Sequence, residues 1–329
     1  MRICLLSPYS DRLDEGMGNI AFHLCRQLAE QHDVLHLKIS PSVLPLSDFW
    51  QGIRRFHPDI IHVIPGPTIK SLALLKMVRF FTGARTVAST TQPIFSSLSR
   101  RLIPLFKPDM VLTQSYESER LFVNYGCRVK FLPPGVDIEK FTPVTGDKKQ
   151  ALRNKYDLPG QKFIVLCIGH IKMNRNVTIL NDLNRDPDVQ TIIVGGVTSG
   201  EENEVHQKLV AGGCLVWRKY FENIEELYAL ADCYVFPTID KLGSIETPLS
   251  VMEAMSCNLT VLCTRYGALP RIFPEGNGLW YAENGEDFIG LLAKVKAGTQ
   301  IKTREKVLPY SWKNIAVELN HVYSELLRK

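Results

Sequence analysis

The chain has 329 residues, 45% of them apolar, and a formal net charge of +5. That length favours two hydrophobic cores over one, and no apolar run is long enough to span a bilayer. The N-terminus enters a strand-like run at once, without a signal peptide's long apolar core, so a cytoplasmic protein is expected.

The predicted elements alternate between strand and helix, which implies an α/β architecture with parallel sheets. Apolar runs at 3–6, 34–37, 60–64, 86–88 and 110–112 read as the strands of a first sheet. Amphipathic segments between them, such as 20–29 and 71–81, read as helices. A Pro-rich stretch over 131–143 then breaks both periods and precedes the polar run 145–150, which marks a boundary. A second series follows, with strands expected at 163–168, 190–194, 215–217, 233–236 and 260–263 and helices at 224–231 and 249–256. The last segment, 312–327, places Ile315, Leu319, Val322, Tyr323 and Leu326 on one helical stripe. Two open parallel sheets in tandem bind ligands beyond the carboxyl ends of their strands. The expected fold class is therefore two Rossmann-like domains with an inter-domain cleft.

The segment 243–257 reads as a helix start suited to phosphate. Thr247 is a good N-cap and Pro248 fits the first turn. The amides of Leu249, Ser250 and Val251 then lack intrahelical partners and lie at the positive end of the helix dipole. Glu253 follows Ser250 by three residues and shares its face. A carboxylate there suits sugar hydroxyls rather than phosphate, so the pair of features suggests a nucleotide-sugar site. Glu246, just ahead of the cap, reads either as a second acceptor for sugar hydroxyls or as a solvated carboxylate.

Two loops join this picture. After the strand at 163–168, His170, Lys172 and Arg175 place three potential cations in six positions, suited to a leaving diphosphate or to an ordinary basic surface. After the first strand, Gly16 and Gly18 sit in a long loop over 7–19 that would let backbone approach a ligand. It lacks the third glycine of a dinucleotide fingerprint. Gln92 ends the run after the strand at 86–88 and faces the expected cleft, whereas His62, inside a buried strand, reads as structural.

Other chemistries lack their signatures. There is no Cys-x-x-Cys pair among the eight scattered cysteines, no Asp-x-Asp or His cluster, no Gly-x-Ser-x-Gly elbow and no Walker loop. No metal and no cofactor is expected, with a nucleotide-diphosphate sugar as co-substrate. Up to Pro143 the chain carries 17 Lys and Arg against 12 Asp and Glu, and the two balance in the remainder. The basic, apolar segments 69–81 and 99–107 read either as core-packing helices with solvated charges or as a peripheral contact with an anionic membrane. No nucleic-acid partner is expected.

Five motifs in order resemble glycosyltransferase family four, a retaining group with the GT-B fold. They are Pro134–Asp137 with Phe141 and Pro143, the run Leu230–Thr238, the helix Met252–Cys257, the loop Gly267–Pro270, and Tyr310–Trp312 before the last helix. The resemblance implies an acceptor-side domain over 1–144, a nucleotide-sugar domain over 145–310 and a final helix, 311–329, returning to the first domain. It also implies metal-independent transfer from the donor to a glycan or lipid-linked acceptor. Catalytic roles then fall on Arg175, Glu246 and Gln92. Binding roles fall on Gly16, Gly18, His170, Lys172, Thr247, Leu249, Ser250 and Glu253. The chain departs from the family pattern at several of these. His170 stands where arginine is usual, Arg175 where lysine is usual, and Gln92 in place of a histidine. Glu246 is one residue late relative to Glu253. A catalytically impaired protein that binds nucleotide sugar or a partner transferase is the alternative; a sugar-nucleotide epimerase has little in the residues to support it.

Overall fold

The computed structural model describes residues 1–7, 16–39, 47–195 and 203–328. They form two compact units. The first joins Met1–Gly135, Ile245–Thr247 and Trp312–Lys329; the second joins Val136–Ser244 and Pro248–Ser311.

The first unit is built on one parallel sheet. Its strands are β1 (Arg2–Ser7), β2 (Asp33–Lys38), β3 (Ile60–Val63), β4 (Arg85–Ser89), β5 (Met110–Thr113) and β6 (Val129–Phe131). They lie in the order β2-β1-β3-β4-β5-β6. Continuous apolar runs, rather than alternating ones, suit strands covered by helices on both faces. β3 and β5 are buried at every position. Cys4, Leu6, Ile61, Val63 and Val111 from the strands pack with Leu72, Leu75 and Val78 from the helix Ile69–Thr82. That helix starts at a capping box between Thr68 and Ser71 and stops at Gly83, whose φ of 72° is left-handed.

The C-terminal helix Trp312–Leu327 belongs to this unit and packs on the helix Gly16–Ala29. All five residues of the expected stripe are buried. Tyr323 reaches His62 in β3: its hydroxyl lies 2.7 Å from Nδ1, and Ser89 Oγ lies 2.7 Å from Nε2. A neutral imidazole has one donor and one acceptor, and two hydroxyls satisfy both. Burial pushes the His62 pKa down to about 3, so the ring stays neutral. His62 is structural, as its strand position predicts. Tyr323→Phe is expected to cost about 1–3 kcal/mol by leaving a buried ring nitrogen unpaired. Urea denaturation of the two proteins measures this difference.

The second unit repeats the plan. Its strands are β7 (Phe163–Ile168), β8 (Val189–Gly195), β9 (Leu215–Arg218), β10 (Cys233–Phe236), β11 (Thr260–Thr264) and β12 (Leu279–Ala282). All are parallel, in the order β12-β11-β10-β7-β8-β9. Val165, Ile193, Val235 and Leu262 form the sheet side of the core, and Leu180 and Phe288 pack against it. Asp232, just before β10, accepts from the Ile164 amide at 2.7 Å and from Arg153 Nη2 at 2.5 Å. It thereby ties β10 to β7. Arg304 donates to the carbonyls of Ile138, Phe141 and Ser256, which fastens the start of this unit to the helix Leu249–Ser256.

Sequence patterning finds five strands in each unit and misses β6 and β12. Both are short edge strands, with one neighbour apiece, and neither needs a long apolar run. Strand order reverses between β1 and β3 in the first unit and between β7 and β10 in the second. In open parallel sheets that reversal leaves a crevice beyond the strands' carboxyl ends.

Candidate functional site

The residues singled out from sequence fall into two clusters, one in each unit. In the second unit, β7 ends at Ile168 and the chain turns at Gly169, whose φ is 146°. A Cβ there would meet Arg175 Nη1 at 2.5 Å. Glycine is thus required both by the backbone angle and by the guanidinium lying against it. Arg175 closes a short 3-10 turn, Met173–Arg175, and the next residue, Asn176, is left-handed with a φ of 54°. Its Nε is buried and has no acceptor among the described residues. Burial lowers its pKa; Cys167, Tyr234 and Tyr266 oppose that shift. A half-buried guanidinium whose Nε is withdrawn from water with no acceptor is poised for an anion. His170 and Lys172 are half-buried on the same turn, and Lys172 makes no ion pair among the described residues.

The helix Leu249–Ser256 has the expected bounds, but its start differs from expectation. Pro248, not Thr247, is the N-cap, and no side chain caps the helix. Thr247 Oγ1 is buried without a partner. The Val251 amide is also not free, since it donates to the Pro248 carbonyl at 3.2 Å. Only Leu249 and Ser250 keep amides that precede every intrahelical acceptor. The Ser250 side chain hydrogen-bonds Tyr234, whose hydroxyl donates to the Ile168 carbonyl at 3.2 Å. The helix start and the turn after β7 are therefore joined at the β7–β10 crevice.

One turn into the helix, Glu253 Oε2 accepts from Tyr228 Oη at 2.6 Å. Burial raises the Glu253 pKa to about 7; the Tyr228 hydrogen bond and Lys140 oppose that rise. Among the described residues, Oε1 takes no hydrogen bond. Gly243 lets the preceding loop lie close: a Cβ there would stand 2.8 Å from the Asn174 carbonyl and 2.7 Å from Thr238 Cγ2. Tyr266 Oη holds that loop by accepting from the Ser244 amide at 3.0 Å.

The other cluster lies in the first unit. Glu246 is not a solvated carboxylate. Its Oε1 accepts from Ser115 Oγ at 2.8 Å and its Oε2 from Thr90 Oγ1 at 3.3 Å. Its own amide donates to the Thr91 carbonyl at 2.7 Å. Burial raises its pKa to about 7, against the hydroxyls of Ser115, Ser118 and Thr90 that favour the charged form. Gln92 directly follows Thr91 at the carboxyl end of β4, so the structure brings Gln92 and Glu246 to the same turn. Gly16 and Gly18 do not occupy a loop. The helix Gly16–Ala29 already begins at Gly16, and residues 8–15 of the expected loop lie outside the described residues. A Cβ at Gly16 would meet Ile245 Cδ1 at 3.0 Å.

Sequence reasoning missed Tyr228, Tyr234, Ser115 and Thr90. None sits in a spacing that marks it: Tyr228 precedes Glu253 by 25 positions, and Ser115 precedes Glu246 by 131. Among the described residues, no group of three His, Cys, Asp or Glu is placed to hold a metal ion. All eight cysteines are free thiols, and Cys25 alone is not fully buried.

Known proteins resemble this chain in sequence and in fold. Residues 148–311 match the family model described as glycosyl transferases group 1. The sulfoquinovosyl transferase SQD2 of Arabidopsis thaliana is 27% identical over 260 residues, covering 73% of this chain and 48% of its own length. A D-inositol 3-phosphate glycosyltransferase of Mycobacteroides abscessus is 27% identical over 296 residues, covering 84% and 63% respectively. This chain thus spans about half to three-fifths of the length of these curated relatives. Among solved structures, Anabaena Alr3699/HepE in complex with UDP and glucose superimposes with a TM-score of 0.77. It does so at 18% identity, over 99% of this chain and 100% of that one. The match assigns residues 148–311 to the glycosyl transferases group 1 family, and the two parallel six-stranded sheets with this superposition give the chain a GT-B fold.

Proposed function

We propose that this chain is a glycosyltransferase. It moves a sugar from a nucleotide-diphosphate sugar to an acceptor hydroxyl, with retention of configuration and without a metal. The observation that carries this reading is Arg175, whose buried Nε has no acceptor at the crevice where β7 and β10 diverge. Negative charge grows on the leaving diphosphate as the glycosidic bond breaks. Arg175, Lys172, His170 and the amides of Leu249 and Ser250 take up that charge, the task a metal performs elsewhere. Glu253 accepts from the ribose hydroxyls through Oε1. Gly16, Gly18 and Thr247 serve as further binding positions, and Glu246 and Gln92 contact the transferred sugar. The nucleotide leaves and the acceptor attacks on one face of that sugar. The acceptor is a glycan or a lipid-linked sugar, and the protein works in the cytoplasm.

One observation favours a second reading. Both oxygens of Glu246 already accept from hydroxyls of its own unit, so this carboxylate is committed to structure as well as available for chemistry. A protein that binds donor without turnover fits that fact. A thermal-shift screen against uridine, guanosine and adenosine diphosphates and their sugars, followed by an assay of released nucleotide, separates the two. A stabilising diphosphate with sugar transfer or donor hydrolysis supports the enzyme. Binding with neither supports the second reading, and no binding to any of them removes both.

A further inference from the structure

From Ile69 to Pro108 the chain has Lys70, Lys76, Arg79, Arg85, Arg100, Arg101 and Lys107, and not one Asp or Glu. Forty residues without a carboxylate in a chain that is 22% charged is a strong bias of one sign. The carboxylate that follows, Asp109, is already spent. Arg79 Nη1 lies 2.6 Å from it and Arg85 Nη1 3.5 Å, and Thr86 donates to it through both amide and hydroxyl. Lys70, Lys76, Arg100, Arg101 and Lys107 therefore keep their charges unmatched by any ion pair among the described residues.

The same stretch exposes its large apolar side chains. Phe80 is 83% exposed, Leu98 74%, Phe81 61% and Leu105 58%; Met77 and Leu102 are exposed as well. Two of the elements that carry them are in contact. The helix Ile69–Thr82 and the 3-10 turn Ile103–Phe106 pack side by side, and Lys76 Nζ donates to the Leu105 carbonyl at 2.6 Å. Phe80 and Phe81 stack edge to face at 5.3 Å at the end of that helix. The helix buries Leu72, Leu75 and Val78 and turns Met77, Phe80 and Phe81 outward. The apolar faces of these elements thus divide between core and surface, which core-packing helices alone do not require. Exposed aromatic and leucine side chains in a stretch whose only charges are cations mark an interaction surface.

We propose that this face of the first unit docks on an anionic lipid bilayer, with Phe80, Phe81, Leu98 and Leu105 entering the acyl boundary and Lys76, Arg100, Arg101 and Lys107 meeting the headgroups. Charge complementarity selects this occupant: a protein partner would cover apolar rings with apolar rings, whereas an interface of lipid offers acyl chains and phosphates together. The proposal is independent of turnover, because it needs neither donor nor acceptor.

Vesicle co-sedimentation of the full chain tests it, with vesicles of phosphatidylcholine alone and of phosphatidylcholine mixed equally with phosphatidylglycerol. Binding to the anionic vesicles at low salt, lost at high salt and absent on the neutral ones, is the expected result. F80S/F81S and R100E/R101E are each expected to lower the bound fraction about tenfold or more. Circular dichroism and the melting temperature confirm that both variants fold. Absence of binding to anionic vesicles at low salt overturns the proposal. So does binding that neither variant weakens. Analytical ultracentrifugation covers the remaining occupant: a concentration-dependent dimer that F80S/F81S abolishes, with no vesicle binding, would assign the face to a second copy of this chain.

Discussion

Arg175→Ala is expected to slow sugar transfer by about a hundredfold or more while leaving affinity for the unphosphorylated nucleoside unchanged. A preorganised donor aimed at developing charge is worth roughly 10²–10³ in rate. Arg175 meets that description by position and by chemistry, because its Nε is withdrawn from water and has no acceptor to release. The variant should lose little stability, since a half-buried charge whose buried Nε lacks a partner adds cost rather than support. Gly169→Ala offers an independent route to the same outcome. The added methyl would stand 2.5 Å from Arg175 Nη1 on a backbone with φ of 146°, so the guanidinium must move. Release of nucleotide from the donor identified by the thermal-shift screen measures both. Rates equal to the parent protein in both variants would remove Arg175 from the diphosphate site.

Glu253→Ala is expected to weaken nucleotide binding by about tenfold or more, the worth of a hydrogen bond to a charged acceptor. Calorimetry with the nucleoside diphosphate measures it, and unchanged affinity would refute contact with the ribose. The pH dependence follows from the same burial. Glu253 titrates at about 7, so affinity that needs the carboxylate falls as pH drops through that value. The Tyr228 hydrogen bond favours the charged form, so Tyr228→Phe raises the pKa further and moves the loss of affinity to higher pH.

Stability shows the opposite trend from the same two glutamates. Burial raises both Glu246 and Glu253 to about 7 in the fold, against 4.5 ordinarily. A raised carboxyl pKa contributes stability that is fully present below the unfolded value and is lost as pH rises through the folded one. The melting temperature relative to E246Q/E253Q should therefore fall between about pH 4.5 and 7, with an upper bound of about 3 kcal/mol per group. A flat difference across that window would show that neither carboxyl is shifted.

The architecture was legible because parallel strands covered on both faces must be continuously apolar, and those runs are visible without any partner. The start of the helix Leu249–Ser256 was only half legible. Thr-Pro is a good cap sequence, yet burial of Thr247 turns its hydroxyl away from the amides, and the helix begins after Pro248 instead. The glycines Gly16 and Gly18 were misread because a glycine opening a helix and a glycine in a loop look alike until the following turn closes.

What the sequence by itself determined is therefore the local order: which runs are strands, where the second series begins, and which cations and carboxylates follow the strand ends. Tertiary structure alone decided the state of those groups. Glu246 meets Ser115 and Thr90 from 131 and 156 positions away, and Glu253 meets Tyr228 from 25. The same holds for the basic stretch, where only packing reveals that Leu72 and Leu75 go inward and Phe80 and Phe81 outward. Periodicity reports a residue's neighbours along the chain. Desolvation and hydrogen bonding, which set charge and reactivity, depend on neighbours in space.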